Sequence, residues 1–157
     1  MMEGVLRDML AQTEAKARIL IVDDNLLVRR HLRELLASRP GWEVCGEASD
    51  GSEAVGRAKE LAPDIVVMDL AMPLMNGLRA THQISLLLPT LPIVMFSMYA
   101  SAHFSEAARQ AGARAAVSKS EPHEIIEAVE ALLSGKTFFR RADTPARGRP
   151  STIGRNL

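Results

Sequence analysis

One cysteine, few aromatic residues and no long apolar run are the first features of this 157-residue chain. A lone Cys45 cannot form an internal disulfide or a multi-cysteine zinc site, and it suits a reducing cytoplasm. Aromatics make up only 4% of the residues, so the core must be aliphatic. The most apolar stretch, Ile84 to Phe96, is broken by Ser85, Pro89, Thr90 and Pro92. It falls short of the ~20 apolar residues that cross a bilayer. The first fifteen residues are charged throughout and do not read as a secretory leader. A soluble, cytoplasmic protein with no membrane partner is expected.

The balance of 47% apolar and 24% charged residues is that of a globular protein, and the length fits one domain. A formal net charge of zero conceals an asymmetry. From Ser134 onward six basic residues face one acid, Asp143, so an acidic body is joined to a basic tail. Residues 1–17 read as an N-terminal extension, with Val5, Leu6, Met9 and Leu10 at helical spacing. Residues 18–135 form the body. Residues 136–157, with Pro145, Gly148, Pro150 and Gly154 among arginines, hold too few large apolar side chains to fold alone and are expected to be disordered.

The body alternates between strands and helices. Strands are predicted at 18–22, 42–48, 64–69, 92–97 and 115–118. Helices are predicted over 26–38, from a capping box at Asp50 and Glu53 to Leu61, over 77–88, over 101–111, and from about Pro122. Near-continuous apolar strands imply an α/β fold, a parallel sheet covered on both faces. Two windings compete, a Rossmann half-sheet and the flavodoxin-like order 2-1-3-4-5.

No glycine-rich turn follows the first strand. That turn reads Val22-Asp23-Asp24-Asn25, and two carboxylates would repel a phosphate unless a cation intervened. Asp69 ends the third strand. In the 2-1-3-4-5 order the first and third strands are neighbours, so Asp23, Asp24 and Asp69 would converge at the switch-point crevice. Three carboxylates so close raise one another's pKa unless positive charge is supplied. Mg²⁺ suits such hard oxygen donors. Ser97 ends the fourth strand and Lys119 follows the fifth, on the same sheet edge. A pocket with one nucleophilic carboxylate suits phosphoryl transfer, where positioning and charge stabilisation supply most of the catalysis.

Each feature has a plainer reading. Asp-Asp-Asn after a strand can simply cap a helix. Gly77, Gly112 and Pro73 read as backbone geometry. The methionines at 68, 72, 75, 95 and 98 read mostly as core or loop packing, and the four histidines as solvated. The placement of all five site residues at carboxyl ends of strands outweighs the separate plain readings.

Together these residues resemble the receiver domains of two-component response regulators. The resemblance runs from about Ala17 to Gly135. It rests on Ile21-Val-Asp23-Asp24-Asn25, Asp50-Gly51, Asp69-Leu-Ala-Met-Pro73-Leu-Met-Asn-Gly77, Ser97-Met-Tyr99, Ala111-Gly112-Ala113 and Lys119-Ser120. The Ser-Met-Tyr and Lys-Ser variants look most like the subfamily that precedes a LuxR-type helix-turn-helix. The resemblance implies a single flavodoxin-like (βα)5 unit and a sensor histidine kinase or phosphotransfer protein as partner. Asp69 would take the phosphoryl group. Asp23, Asp24, Asp69 and the Ala71 carbonyl would hold Mg²⁺, while Lys119 and Ser97 would contact the phosphoryl oxygens. It also allows a homodimer through the fourth or fifth helix of the body.

The chain departs from the family at two points. Ala116 stands where receivers commonly carry Tyr or Phe three residues before the lysine, and Tyr99 is a candidate to carry part of that signal. Only 22 residues follow Gly135, too few for a helix-turn-helix. The expectation is therefore no DNA-binding domain in this chain: either a single-domain regulator or a truncated one. Two other functions compete. An aspartyl phosphatase commonly places an acid two residues after its nucleophile, where this chain has Ala71. A phosphorylation-independent interaction domain would keep the fold alone.

Overall fold

The computed structural model describes residues 2–12, 16–98 and 101–139. Eleven elements follow one another: α1 (Met2–Gln12), β1 (Ala17–Val22), α2 (Leu26–Ala37), β2 (Trp42–Ala48), α3 (Gly51–Leu61), β3 (Ile65–Asp69), α4 (Gly77–Leu87), β4 (Ile93–Ser97), α5 (Ala102–Ala111), β5 (Ala115–Ser118) and α6 (Glu124–Leu133). All five strands are parallel and lie in the order β2-β1-β3-β4-β5. Of the two windings the sequence allowed, this is the flavodoxin-like one.

Successive side chains of a strand point to opposite faces, and here both faces are covered. Leu20, Val22, Val66, Met68 and Met95 pack with Ala54, Ala58, Ala80, Ile84, Phe104 and Ala108 of α3, α4 and α5. Ile19, Ile21, Ile65, Val67, Val94 and Phe96 pack with Leu32 and Leu36 of α2 and with Ile125, Val129 and Leu132 of α6. Burial on both sides is why these strands read as unbroken apolar runs. Between Ile19 and Leu20 the register with β2 slips past Cys45, a local bulge.

Helix starts follow side-chain chemistry. The oxygens of Asn25, Asp50, Asn76 and Ser101 accept backbone N–H bonds at the first turns of α2, α3, α4 and α5. The predicted capping box forms only halfway. Asp50 accepts from the Glu53 N–H at 2.8 Å, but Glu53 reaches back to the N–H and hydroxyl of Ser49, not to Asp50. The turn after α5 needs Gly112, at φ 106°, where a Cβ would strike the Ser85 side chain.

At the C-terminal side the expected break at Gly135 comes too early. Phe138 forms a parallel bridge to Ala115, its N–H donating to the Arg114 oxygen at 2.9 Å and its oxygen accepting from Ala116 at 3.1 Å. Phe138 packs on one face of the sheet and Phe139 on the other, with the Arg109 guanidinium 4.2 Å from the Phe139 ring centre. The reason is that β5 is an edge strand of the sheet, which offers backbone partners to the first apolar pair beyond α6. The rest of the basic tail, residues 140–157, lies outside the described residues, as does Tyr99. At the other end α1 exposes Met2, Val5, Leu6 and Met9. Among the described residues no helix is long and apolar enough to cross a membrane.

Candidate functional site

The carboxyl ends of β1, β3, β4 and β5 meet in one crevice lined by Asp23, Asp24, Asp69, Ala71, Ser97 and Lys119. Strand pairing explains the convergence. Val22 lies opposite Met68, Asp69 opposite Phe96, and Ser97 opposite Ser118, so the residues that end these strands share one rim. Every site residue picked from the sequence lies there. Asp23, Asp69 and Ser97 are buried, while Asp24 and Ala71 are exposed.

Lys119 ties the acids together. Its Nζ lies 2.7 Å from Asp23 Oδ2 and 3.0 Å from Asp69 Oδ1, and 5.8 Å from the centre of the Phe96 ring. Its backbone N–H donates to the Ser97 oxygen at 2.8 Å, which fixes the loop after β5 to the end of β4. Ser118 and Ser120 hydroxyls meet at 2.7 Å and shape the turn on either side of the lysine.

Charge is not balanced by this lysine alone. Burial pushes the Asp69 carboxyl above its ordinary range; the Lys119 hydrogen bond pulls it back in part, and the charges of Asp23 and Asp24 push it up again. Burial works against the Lys119 ammonium too, yet its bonds to Asp23 and Asp69 outweigh that and raise its pKa. One carboxylate oxygen from each of Asp23, Asp24 and Asp69 lies within 4.8 Å of the others. Hard oxygen donors at that spacing can share one small divalent cation, with the exposed side of Asp24 leaving room for its waters.

The loop after Asp69 is held against the site. Gly77 donates its N–H to the Leu70 oxygen at 2.8 Å, and a Cβ at position 77 would run into the Asp69 carbonyl oxygen. Here glycine is required by close approach. Leu74, exposed, adopts φ 66° in the same loop, a left-handed conformation uncommon for a bulky side chain. Met68 and Met95 are core, Met72 and Met75 pack against it, and Met98 is exposed at the crevice. The four histidines are exposed, but His123 is not isolated. Its Nε2 lies 3.5 Å from Glu121 Oε2, a proximity produced by the turn before α6.

Sequence reasoning missed Arg29, whose Nη1 donates to the Asp23 main-chain oxygen at 2.7 Å. An arginine on a polar helix face carries no signal of its own. Its partner, Glu47, lies on a strand eighteen residues away.

Comparison with known proteins gives the family. Residues 19–130 match the response regulator receiver domain. A protein-glutamate methylesterase/protein-glutamine glutaminase of Methanosarcina mazei is 42% identical over 135 residues, covering 85% of this chain and 38% of the relative. The chain thus spans well under half the length of that relative. The chemotaxis protein CheY of Thermotoga maritima is 40% identical over 113 residues, 71% of this chain and 93% of that protein. Among solved structures, a LuxR-family two-component response regulator from Aurantimonas sp. SI85-9A1 superposes with a TM-score of 0.79 at 39% identity, covering 83% of this chain and 94% of the other.

Proposed function

This chain belongs to the response-regulator receiver family, and we propose that it takes a phosphoryl group from a partner histidine kinase or phosphotransfer protein onto Asp69 and signals by a change of conformation. The observation that carries the proposal is the convergence of Asp23, Asp24 and Asp69, with Lys119 bonded to Asp23 and Asp69.

In the transfer, an Asp69 carboxylate oxygen attacks the phosphorus of a phosphohistidine. The new P–O bond forms as the P–N bond breaks, and the freed imidazole nitrogen takes a proton. Asp23, Asp24, Asp69 and the Ala71 carbonyl would hold Mg²⁺, which supplies positive charge against the phosphoryl oxygens. Lys119 reaches Asp69 already and would turn toward a phosphoryl oxygen once the carboxylate has become an acyl phosphate. Ser97, at the neighbouring strand end, would donate to another. The raised pKa of Asp69, set first by burial, fits a carboxylate whose charge a nearby cation would stabilise.

No turnover of an external substrate is proposed. Exposed Ala71 stands where an aspartyl phosphatase commonly keeps its general acid. The methylesterase relatives extend far beyond the shared stretch, and their activity is not carried over. Incubation with acetyl phosphate and Mg²⁺, followed by intact-mass measurement, tests the reading. Wild type should gain one phosphoryl group, and Asp69→Asn or chelator should prevent it. An equal adduct on Asp69→Asn would overturn the assignment, and no wild-type adduct would favour a phosphorylation-independent interaction domain.

A further inference from the structure

Arg29 lies outside the crevice but is bonded to its framework. Its side chain is only 16% exposed. Nη1 donates to the main-chain oxygen of Asp23 at 2.7 Å, and Nε to Glu47 Oε1 at 3.2 Å. Glu47 sits on β2, paired in register with Ile21 of β1. Arg33, one helical turn further on, reaches the other Glu47 oxygen at 2.9 Å with a side chain 45% exposed.

The oxygen that Arg29 holds belongs to the peptide unit joining Asp23 to Asp24. That unit is planar, so fixing its oxygen fixes the plane from which both acids depart. Asp23 is secured at its other polar atoms as well. Its N–H donates to the Ala48 oxygen at 3.1 Å, Oδ1 accepts from the Asn25 N–H at 2.9 Å, and Oδ2 accepts from Lys119 at 2.7 Å. Without Arg29, the linking peptide loses a charge-assisted bond, the stronger kind.

We infer that Arg29, oriented by Glu47, is a positioning residue that sets the mutual orientation of Asp23 and Asp24 for a divalent cation. The inference rests on the proposed function above. The planar fork of arginine lets one group bond a carbonyl and a carboxylate at once, which an ammonium cannot do with the same directionality. Pairing with Glu47 offsets the charge of Arg29, so its effect on the acids is chiefly one of geometry.

The test compares Arg29→Met with Arg33→Met, since both lose a contact to Glu47 and only the first releases Asp23. Mg²⁺ affinity by calorimetric titration should fall about tenfold in Arg29→Met, the scale for groups that orient metal ligands. Arg33→Met should stay within about twofold of wild type, as for an exposed ion pair. In metal-free protein the Asn25 amide should exchange faster in Arg29→Met. At saturating Mg²⁺ the rate of adduct formation with acetyl phosphate should return close to wild type. Unchanged Mg²⁺ affinity in folded Arg29→Met, or equal losses in both variants, would overturn the inference alone. If Arg29→Met does not fold, Glu47→Gln replaces it: a smaller loss of affinity supports the inference and none overturns it. Wild-type protein that binds no Mg²⁺ would remove the proposed function along with it.

Discussion

Around β1 and β3, the crevice is held by charge. Asp23 and Asp69 are buried, Lys119 bridges them, and Arg29 holds the main chain behind them. Around β4 and β5, Lys119 apart, the same rim is built from small or uncharged groups. Ser97 is buried at the strand end, Met98 is exposed, and the buried Ala116 occupies a position where the family commonly has a ring. Besides Phe96 of β4, aromatic packing along β5 comes from beyond α6. Phe138 bridges to β5, and Phe139 joins the same packed cluster as Ala116 and Phe104. On the proposed function the contrast would separate two tasks. Holding a cation and a phosphoryl group would constrain residue type through charge, whereas relaying a change of shape would require only that some side chains pack and repack.

Removing the lysine should break the comparison hardest. In Lys119→Ala, Asp23 and Asp69 are left facing each other in a buried site, at a cost of about 3–5 kcal/mol. Urea unfolding in chelator should record that loss, and added Mg²⁺ should recover part of it. Adduct formation with acetyl phosphate should slow about 100-fold.

Trimming the other half should do less and do it differently. Phe139→Ala removes a half-buried ring and should cost about 1–2 kcal/mol in urea unfolding. Mg²⁺ affinity and adduct formation should stay at wild-type values. A loss of Mg²⁺ binding in this variant would show that the two halves are not separable.

The smallest effect sharpens the electrostatic half. The Asp69 carboxyl has a raised pKa in the folded protein, so its ionised form opposes folding. Between the unfolded pKa and the higher folded one, the native state binds more protons, and stability falls as pH rises through that window. Above the folded pKa the penalty is complete. Lys119 acts in a different range: its raised pKa gives stability that is present below its unfolded value and lost as pH rises through the folded one. Asp69→Asn should therefore raise the neutral-pH Tm of metal-free protein by a few degrees, with a smaller gain under acidic conditions. Saturating Mg²⁺ should narrow the gap to wild type. Thermal scans across pH, with and without the ion, would detect both changes.

Much of this arrangement is legible in the chain itself. Apolar runs such as Ile19 to Val22 mark strands within a residue of where they form, because both sheet faces are buried. Acids directly after such runs fall on one rim once the winding is known. What the sequence hides depends on distant pairing. Glu53 turning to Ser49, Arg29 reaching Asp23 and Glu47, and Phe138 closing on Arg114 and Ala116 each join segments whose proximity exists only after folding. Phe138 misled for a second reason. Two apolar residues beside a basic, proline-containing stretch take on the character of that stretch when composition is averaged.

Chemical trapping of the phosphorylated residue tests the central claim most directly. After treatment with acetyl phosphate and Mg²⁺, borohydride reduction converts an aspartyl phosphate into homoserine, and peptide mapping locates it. The account predicts homoserine at position 69 and at no other aspartate, with none formed when the cation is chelated. Homoserine at position 23 or 24, or trapping that is indifferent to Mg²⁺, would contradict it.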